Sequence, residues 1–133
     1  MNIKEVTIGS NRYHIAQAPA KAQKTLLSLC GAMCAVNATT ADIIEIDVKF
    51  LKGVLIGIGE ERLDQITSIV FSKTYKAGED RPVDIGDFQG KMGEYLELVA
   101  NGIKANLQDF FTWLDEDRAA ARPTTMSGKQ TQA

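Results

Sequence analysis

The sequence predicts a mainly α-helical protein with a small N-terminal β-hairpin (an α+β fold), about four helices and a long last helix. Three observations support this prediction. Apolar residues alternate around a turn near the N-terminus, they recur every three or four residues in the middle segments, and the same spacing continues through a long stretch near the C-terminal end. Alternation is typical of half-buried strands, whereas steps of three and four place side chains on one face of a helix. The length of 133 residues favours a single domain, which we assign to residues 1–118.

The N-terminal hairpin is expected within residues 5–17, EVTIGSNRYHIAQ. Its two arms flank a Gly-Ser-Asn turn at residues 9–11, which is a common hairpin signal. A lone hairpin is only marginally stable in water, so this one is expected to pack on the helices. The alternating apolar residues of its arms are Val6, Ile8, Tyr13 and Ile15.

Two helices are predicted in the first half of the chain after the hairpin. The first follows Pro19, a residue that suits the first turn of a helix, and extends to about Val36. The second is expected to be capped by Asp47. Its end is expected near residues 57–59, where repeated glycines lower helix propensity.

The connecting segments are less regular than the helices. Residues 42–46, DIIEI, are either a short strand or an extended linker. A third helix is predicted at residues 60–73, where acidic residues in the first turn suit the helix dipole. Residues 74–87 are rich in Gly, Asp and Pro, which indicates a loop or a second small hairpin with Tyr75 and Val83 on facing arms.

The long last helix is predicted from Asp87 to Arg118, with Asp87 as its N-cap. Beyond residue 118 the apolar face ends, and residues 119–133 are predicted to be a disordered C-terminal tail. The apolar residues of the helix follow steps of three or four throughout: Phe88, Met92, Tyr95, Leu96, Val99, Ile103, Leu107, Phe110 and Leu114.

Charge and hydropathy argue against two classes of function. The net charge is -2, and no basic stripe is present, so nucleic-acid binding is not expected. No apolar run reaches the roughly 18 residues that a membrane span needs. The chain opens without a signal peptide, so a cytoplasm is the expected compartment and no membrane association is expected.

The sequence also offers no catalytic or metal-binding arrangement, so we expect no enzyme activity, no catalytic residue, no metal and no cofactor. Cys30 and Cys34 lie one helical turn apart without a further ligand nearby, and are expected to be core thiols. His14 is expected to face solvent, and Glu45 is expected on the outer side of its segment. A general acid or base would instead need a carboxylate in an apolar pocket.

Three aromatic residues crowd the far end of the last helix: Phe110, Phe111 and Trp113. One interpretation is that they belong to the core, with Phe110 and Leu114 continuing the buried face and Phe111 packed under the hairpin. The other is that Phe111 and Trp113 form an exposed apolar patch. Such patches usually mark a partner site, and Trp is a favoured anchor.

Two segments of the chain resemble a known family. The N-terminal VTIGSNRYHIAQAPA, with its Ala-Pro-Ala shoulder, leads into a helix with paired leucines. Near the other end, LELVANGIKANLQDFF finishes in an Asn-Leu-x-x-Phe-Phe pattern, here Asn106, Leu107, Phe110 and Phe111. From roughly Glu5 to Trp113 this plan resembles the tail assembly chaperones of long-tailed bacteriophages. The chain departs from that pattern in its glycine-rich second helix and in its extension past Phe111.

The resemblance implies a non-enzymatic helper of tail morphogenesis that works in the host bacterial cytoplasm and is absent from the mature virion. Its implied partners are the phage tape-measure protein, which it would keep soluble, and the tail-tube protein, whose subunits it would help to recruit. A homo-oligomer is a further option. The residues expected to contact the partner, or to form the core beneath that contact, are Phe110, Phe111, Trp113 and Leu114.

The alternative function is a structural phage protein, such as a head–tail connector or a tail-completion component. Such a component would be present in purified particles at fixed stoichiometry, whereas an assembly chaperone would be absent. Mass spectrometry of purified particles separates the two functions.

Overall fold

The computed structural model describes the backbone of residues 3–38 and 45–121, and the side chains of residues 3–34 and 45–117. Within these ranges it confirms a mainly helical fold with an N-terminal hairpin and a long last helix. In chain order the elements are β1 (Ile3–Ile8), β2 (Asn11–Ala16), α1 (Ala20–Ala38), α2 (Val48–Ile56), α3 (Glu60–Phe71), β3 (Thr74–Lys76), a short 3-10 helix (Ile85–Phe88) and α4 (Met92–Ala121).

The hairpin is part of a three-stranded antiparallel sheet in the order β1-β2-β3. Val6 lies opposite Tyr13 in the first pair of strands, and the turn between them uses Gly9 at φ 61°. The third strand comes from the segment that was predicted as a loop or a second small hairpin. Tyr75 forms an isolated bridge with Pro82, and the N–H of Val83 donates to the carbonyl of Thr74 at 2.9 Å.

The middle helices begin and end close to the predicted positions. The carboxylate of Asp47 caps α2 by accepting the N–H of Lys49 at 2.9 Å, and Gly57 follows the last residue of that helix. Helix α3 begins directly after Gly59. Of the DIIEI segment, residues 42–44 lie outside the described residues, and Glu45 and Ile46 are in neither a helix nor a strand.

The start of the long helix was predicted too early, because α4 begins at Met92 and Asp87 is not its N-cap. Asp87 belongs to a separate 3-10 helix that is capped by Asp84, and the two aspartates form a reciprocal capping box there. Gly90, at φ 75°, separates the two helices. Phe88 is 1% exposed. It is therefore buried like the core-facing residues of α4, and it falls at the same three-to-four-residue spacing.

Helix α4 is 30 residues long, or about 45 Å. The hairpin and the other three α-helices pack against it, and its central residues, among them Leu98 and Ile103, are fully buried. Met92, which was predicted on the buried face, is 50% exposed. The helix ends at Ala121, three residues into the segment that was predicted as a tail, and residues 122–133 lie outside the described residues.

Four aromatic rings fill the core beside the first half of α4, and we call them the core ring cluster: Tyr13, Phe71, Phe88 and Tyr95. Neighbouring centroids lie 5.8–6.4 Å apart, a favourable range for tilted and edge-to-face pairs. The hydroxyls of Tyr95 and Thr67 are 2.6 Å apart, so the buried phenol has a hydrogen-bond partner. The cluster joins β2, α3, the 3-10 helix and α4 into one core.

Candidate partner-binding surface

The side chain of Asn106 attaches the segment that follows the hairpin to α4. It is 2% exposed, and its Oδ1 accepts the N–H of Ala18 at 2.8 Å and the Nε2 of Gln23 at 3.3 Å. Its Nδ2 donates to the carbonyl of Gly102 at 2.8 Å. A buried amide with both ends bonded holds its partners in one arrangement, so the segment between β2 and α1 is fixed against the helix.

Gln17 and Gln23 form further hydrogen bonds to α4 at and near Asn106. The Nε2 of Gln17 donates to the carbonyl of Ala105 at 3.0 Å and to Asp109 Oδ2 at 3.2 Å, and the Nε2 of Gln23 donates to the carbonyl of Asn106 at 3.2 Å. The Ala-Pro-Ala shoulder and the Asn-Leu-x-x-Phe-Phe pattern, which lie far apart in the sequence, are therefore in direct contact. Together they set the position of the C-terminal half of α4.

Three rings then form a series that runs from the core to the surface, which we call the terminal ring cluster: Phe111, Phe110 and Trp113. Phe111 is 2% exposed and packs edge-on against Phe110, with centroids 5.1 Å apart. Phe110 is half-buried and lies 5.9 Å from the ring of Trp113, which is 56% exposed. The exposed indole therefore rests on a ring that is itself supported by the core.

The structure divides the four predicted contact residues between the two interpretations. Phe111 lies in the core, which overturns the interpretation that placed it in an exposed patch, because its position on α4 faces the other packed elements. Phe110 and Leu114 are half-buried at the margin of the core. Trp113 alone among the four is largely exposed. A role in partner contact stays a prediction for these residues.

Carboxylates surround Trp113 on the helix surface. Asp109 lies four residues before it, and Glu116 and Asp117 lie three and four residues after it, which makes all three its neighbours on the helix. Asp109 accepts a hydrogen bond from Gln17. Glu116 and Asp117 are exposed and form no ion pair with any other side chain that the structure describes. No Lys or Arg occurs between residues 105 and 117.

A groove of about 810 Å³ lies between the start of the hairpin and the outer face of α4. Ile3 and Lys4 line it on the hairpin side, and Gln108 and Thr112 line it on the helix side. Its mixed lining suits a polypeptide segment better than a small apolar ligand. The groove was not predicted from the sequence. Its two sides come from residues more than 100 positions apart, and neither segment has a sequence pattern that indicates a groove.

The two cysteines are core residues in a reduced state. Cys30 and Cys34 are both free and each is 1% exposed. The Cys30 thiol donates to the carbonyl of Leu26 at 3.1 Å. Hydrogen bonding with Cys34, together with burial, raises the pKa of the Cys30 thiol far above its usual value. Because Cys30 is buried and its thiol is hydrogen-bonded within its own helix, Cys30 acts through packing.

His14 and Glu45, the two residues considered as catalytic candidates, are both exposed and have different neighbours. His14 is exposed on β2, opposite Glu5 and Tyr75 in the sheet. Glu45 is exposed and forms an ion pair with Lys104 at 3.0 Å. Within the described side chains, no group of three or more His, Cys, Asp or Glu residues could hold a metal ion. In the same part of the chain, none of the helices combines the length and the apolarity that crossing a bilayer requires.

Comparison with known proteins gives a match to a protein family. A family model described as phage tail assembly chaperone protein, TAC, matches residues 9–117, which is more than half of the chain. The matched region begins at the turn of the hairpin and includes the whole terminal ring cluster. No curated protein and no solved structure matches the chain.

Proposed function

The chain belongs to the phage tail assembly chaperone family, and from this premise we propose that it binds the phage tape-measure protein. In this proposal it keeps the tape-measure chain soluble during tail morphogenesis and helps to recruit tail-tube subunits. It acts in the host bacterial cytoplasm, catalyses no reaction and leaves before the virion is mature.

The exposed Trp113 is the observation that carries this proposal. An indole that is 56% exposed on a soluble chaperone is a typical hot-spot residue, since Trp supplies a large contact area with few rotatable bonds. The support from Phe110 and Phe111 limits its movement, so less side-chain entropy is lost when a partner binds. The proposed contact is therefore Trp113, with Phe110 and Leu114 at its margin and Phe111 beneath it.

A long amphipathic helix is a suitable ligand for such a surface. Without its assembly partners it exposes a continuous apolar stripe, which favours aggregation. A small helical protein can cover part of that stripe in a helix-to-groove arrangement. Several copies along one chain would act together through high local concentration, so each copy needs only about micromolar affinity, roughly -8 kcal/mol. Modest affinity also allows tube subunits to displace the chaperone.

Co-expression with the tape-measure protein tests the proposal. We expect the soluble fraction of the tape-measure protein to rise severalfold in the presence of this chain. The Trp113→Ala variant should lose most of that rise. Phe50→Ala is the matched control, because Phe50 is a 36% exposed aromatic residue on α2, and it should retain the full effect. Equal solubility with and without the wild-type chain would refute tape-measure binding.

Mass spectrometry of purified particles tests the assembly-stage role separately. An assembly chaperone should be missing from finished particles or present only in traces. Stoichiometric presence would instead assign the chain to the head–tail connector or tail-completion class.

A further inference from the structure

The distribution of charge around Trp113 indicates which kind of helix this surface can bind. The indole and the half-buried Phe110 give an apolar centre, and the exposed carboxylates of Glu116 and Asp117 border it one turn further along α4. Asp109 borders it one turn earlier. The contact surface is thus an apolar spot bordered mainly by negative charge, with Arg118 following Asp117 in the sequence.

The helix dipole adds to this negative potential. Helix α4 ends at Ala121, so Glu116 and Asp117 lie close to its C-terminal end, where the backbone carbonyls carry partial negative charge. Helix stability would favour Lys or Arg at these positions. The two carboxylates therefore gain nothing from the helix dipole, and they strengthen attraction for a positively charged partner.

A second copy of this chain is a poor occupant of the surface. A two-fold contact through Trp113 would place the same carboxylates of both copies against each other, and like charges across an interface oppose association. A neutral apolar helix would leave the carboxylates without partners at the rim of the contact. A helix with basic residues along the border of its apolar stripe satisfies both the indole and the carboxylates.

We propose that the Trp113 surface selects a basic amphipathic helix, that is, one whose apolar stripe is flanked by Lys or Arg. The apolar stripe covers Trp113 and Phe110, and the basic residues pair with Glu116 and Asp117. A Lys or Arg side chain over the face of the indole adds a cation–π contact. This inference rests on the proposed function and specifies the chemistry of the tape-measure segment that is bound.

Two synthetic peptides test the charge preference on the full chain. Both are helices of about 18 residues, or five turns, with identical leucine positions, and their polar positions are lysine in one and glutamate in the other. Trp113 is the only tryptophan in the chain, so its fluorescence reports directly on coverage of the site. We expect the lysine peptide to shift the emission and to bind at least tenfold more tightly than the glutamate peptide, with a preference that falls as salt is added.

Neutralising the border residues gives the decisive variant. Glu116→Gln combined with Asp117→Asn should weaken binding of the lysine peptide roughly fivefold, as expected for the loss of two exposed ion pairs. The matched control is Glu61→Gln with Asp64→Asn, which removes the same charge from two exposed positions on α3. The control should bind as the wild-type chain does. Equal affinity for the two peptides, or equal weakening by both variants, would overturn the inference.

The co-expression assay distinguishes failure of this inference from failure of the proposed function. If the Glu116→Gln, Asp117→Asn variant solubilises the tape-measure protein fully while Trp113→Ala does not, the charge preference is wrong and tape-measure binding stands. If the wild-type chain fails to solubilise that protein but the lysine peptide binds with the expected preference, the surface is selective and its natural ligand is a different basic helix.

Discussion

The two ring clusters along α4 use similar residues and differ in exposure. In the core ring cluster, Tyr13, Phe71, Phe88 and Tyr95 are each 5% exposed or less and come from four different elements. In the terminal ring cluster all three rings come from α4, and exposure rises along the series to 56% at Trp113. Aromatic rings from one helix can stack on each other, but only neighbouring elements can cover them. The comparison shows that the burial of a ring depends on which other elements pack against that half of α4.

This contrast assigns different tasks to the two halves of the helix. The first half contributes most to the free energy of unfolding, because its rings are removed from water by β2, α3 and the 3-10 helix. The second half offers an apolar surface whose removal should change binding more than folding. Four pairs of variants test this division, beginning with the pair that should show the largest effect on stability.

Removing a ring from each cluster should give very different losses of stability. Phe88→Ala deletes a ring that is 1% exposed, and it should lower the free energy of unfolding by about 3–5 kcal/mol. Trp113→Ala should change the same quantity by no more than about 0.5 kcal/mol, as is usual for surface positions. Urea unfolding followed by circular dichroism measures both. Similar losses for the two variants would show that the terminal ring cluster is also part of the stabilising core.

The next largest loss of stability is expected at Asn106, which lies between the two ring clusters on α4. Asn106→Ala leaves the N–H of Ala18 buried without an acceptor, which should cost about 1–3 kcal/mol. Asn101→Ala is the control, since Asn101 is half-buried on the same helix and donates to the carbonyl of Glu97 in its own helix. Its loss should be clearly smaller. A loss at Asn101 as large as that at Asn106 would contradict a specific role in holding the hairpin.

At Gly102, α4 packs directly against Val70 of α3, and alanine there should be destabilising. An added Cβ would overlap Cγ1 of Val70, and such overpacking costs about 1–3 kcal/mol, more than the gain of about 1 kcal/mol in helix propensity. Gly53→Ala on α2 is the control, because no atom lies within 4 Å of its added Cβ. We expect Gly53→Ala to raise the melting temperature and Gly102→Ala to lower it. A rise for both would show that the helices can separate at little cost.

The smallest change in stability is expected for Asp87, which lies in the 3-10 helix that contains Phe88. A hydrogen bond from Arg81, at 2.8 Å, and the backbone N–H of Asp84 hold the pKa of Asp87 below its usual value of 3.8. Because the folded pKa is lower than the unfolded one, this carboxylate stabilises the fold above the unfolded pKa, and the contribution is lost as pH falls through the folded pKa. Asp87→Asn should therefore reduce stability at neutral pH slightly and make the loss below about pH 4 less steep.

Chemical unfolding at several pH values between 2 and 7 measures this effect. Its size should be modest because Arg81 and Asp87 are both close to solvent, where ion pairs contribute little. The same substitution at Asp80, an exposed aspartate in the same loop, serves as the control. Parallel stability curves for Asp87→Asn and the wild-type chain would contradict the assigned role of Asp87.

Much of the fold could be predicted because its elements carry local signals. The alternation in the hairpin, the cap at Asp47 and the spacing along α4 are each specified by residues close together in sequence. The start of α4 was predicted incorrectly because Phe88 continues the helical spacing across the break at Gly90. The pairing of β3 with β2 could not be predicted, since a strand of three residues is too short to show alternation.

The candidate surface was predictable only in part for a related reason. Phe111 and Trp113 are two residues apart, so on a helix they face in nearly opposite directions and only one of them can face the core. Which one does so depends on where the hairpin and α1 pack, and that is set by contacts of Asn106 and Gln17 across most of the chain. The groove beside β1 depends on the same long-range contacts. The family resemblance indicated this segment and did not indicate which of its residues face the core.

The hydrogen bond from Ala18 to Asn106 spans 88 residues, and this separation has a consequence for biosynthesis. A ribosome that adds about 5–20 residues per second needs roughly 4–18 s to make the intervening chain. During that interval the emerging hairpin has no long helix to pack on, so a segment that is translated before α4 is among the last to reach its final position. Slow codons or a pause in the second half of the message would prolong the exposure of its apolar face to other nascent chains.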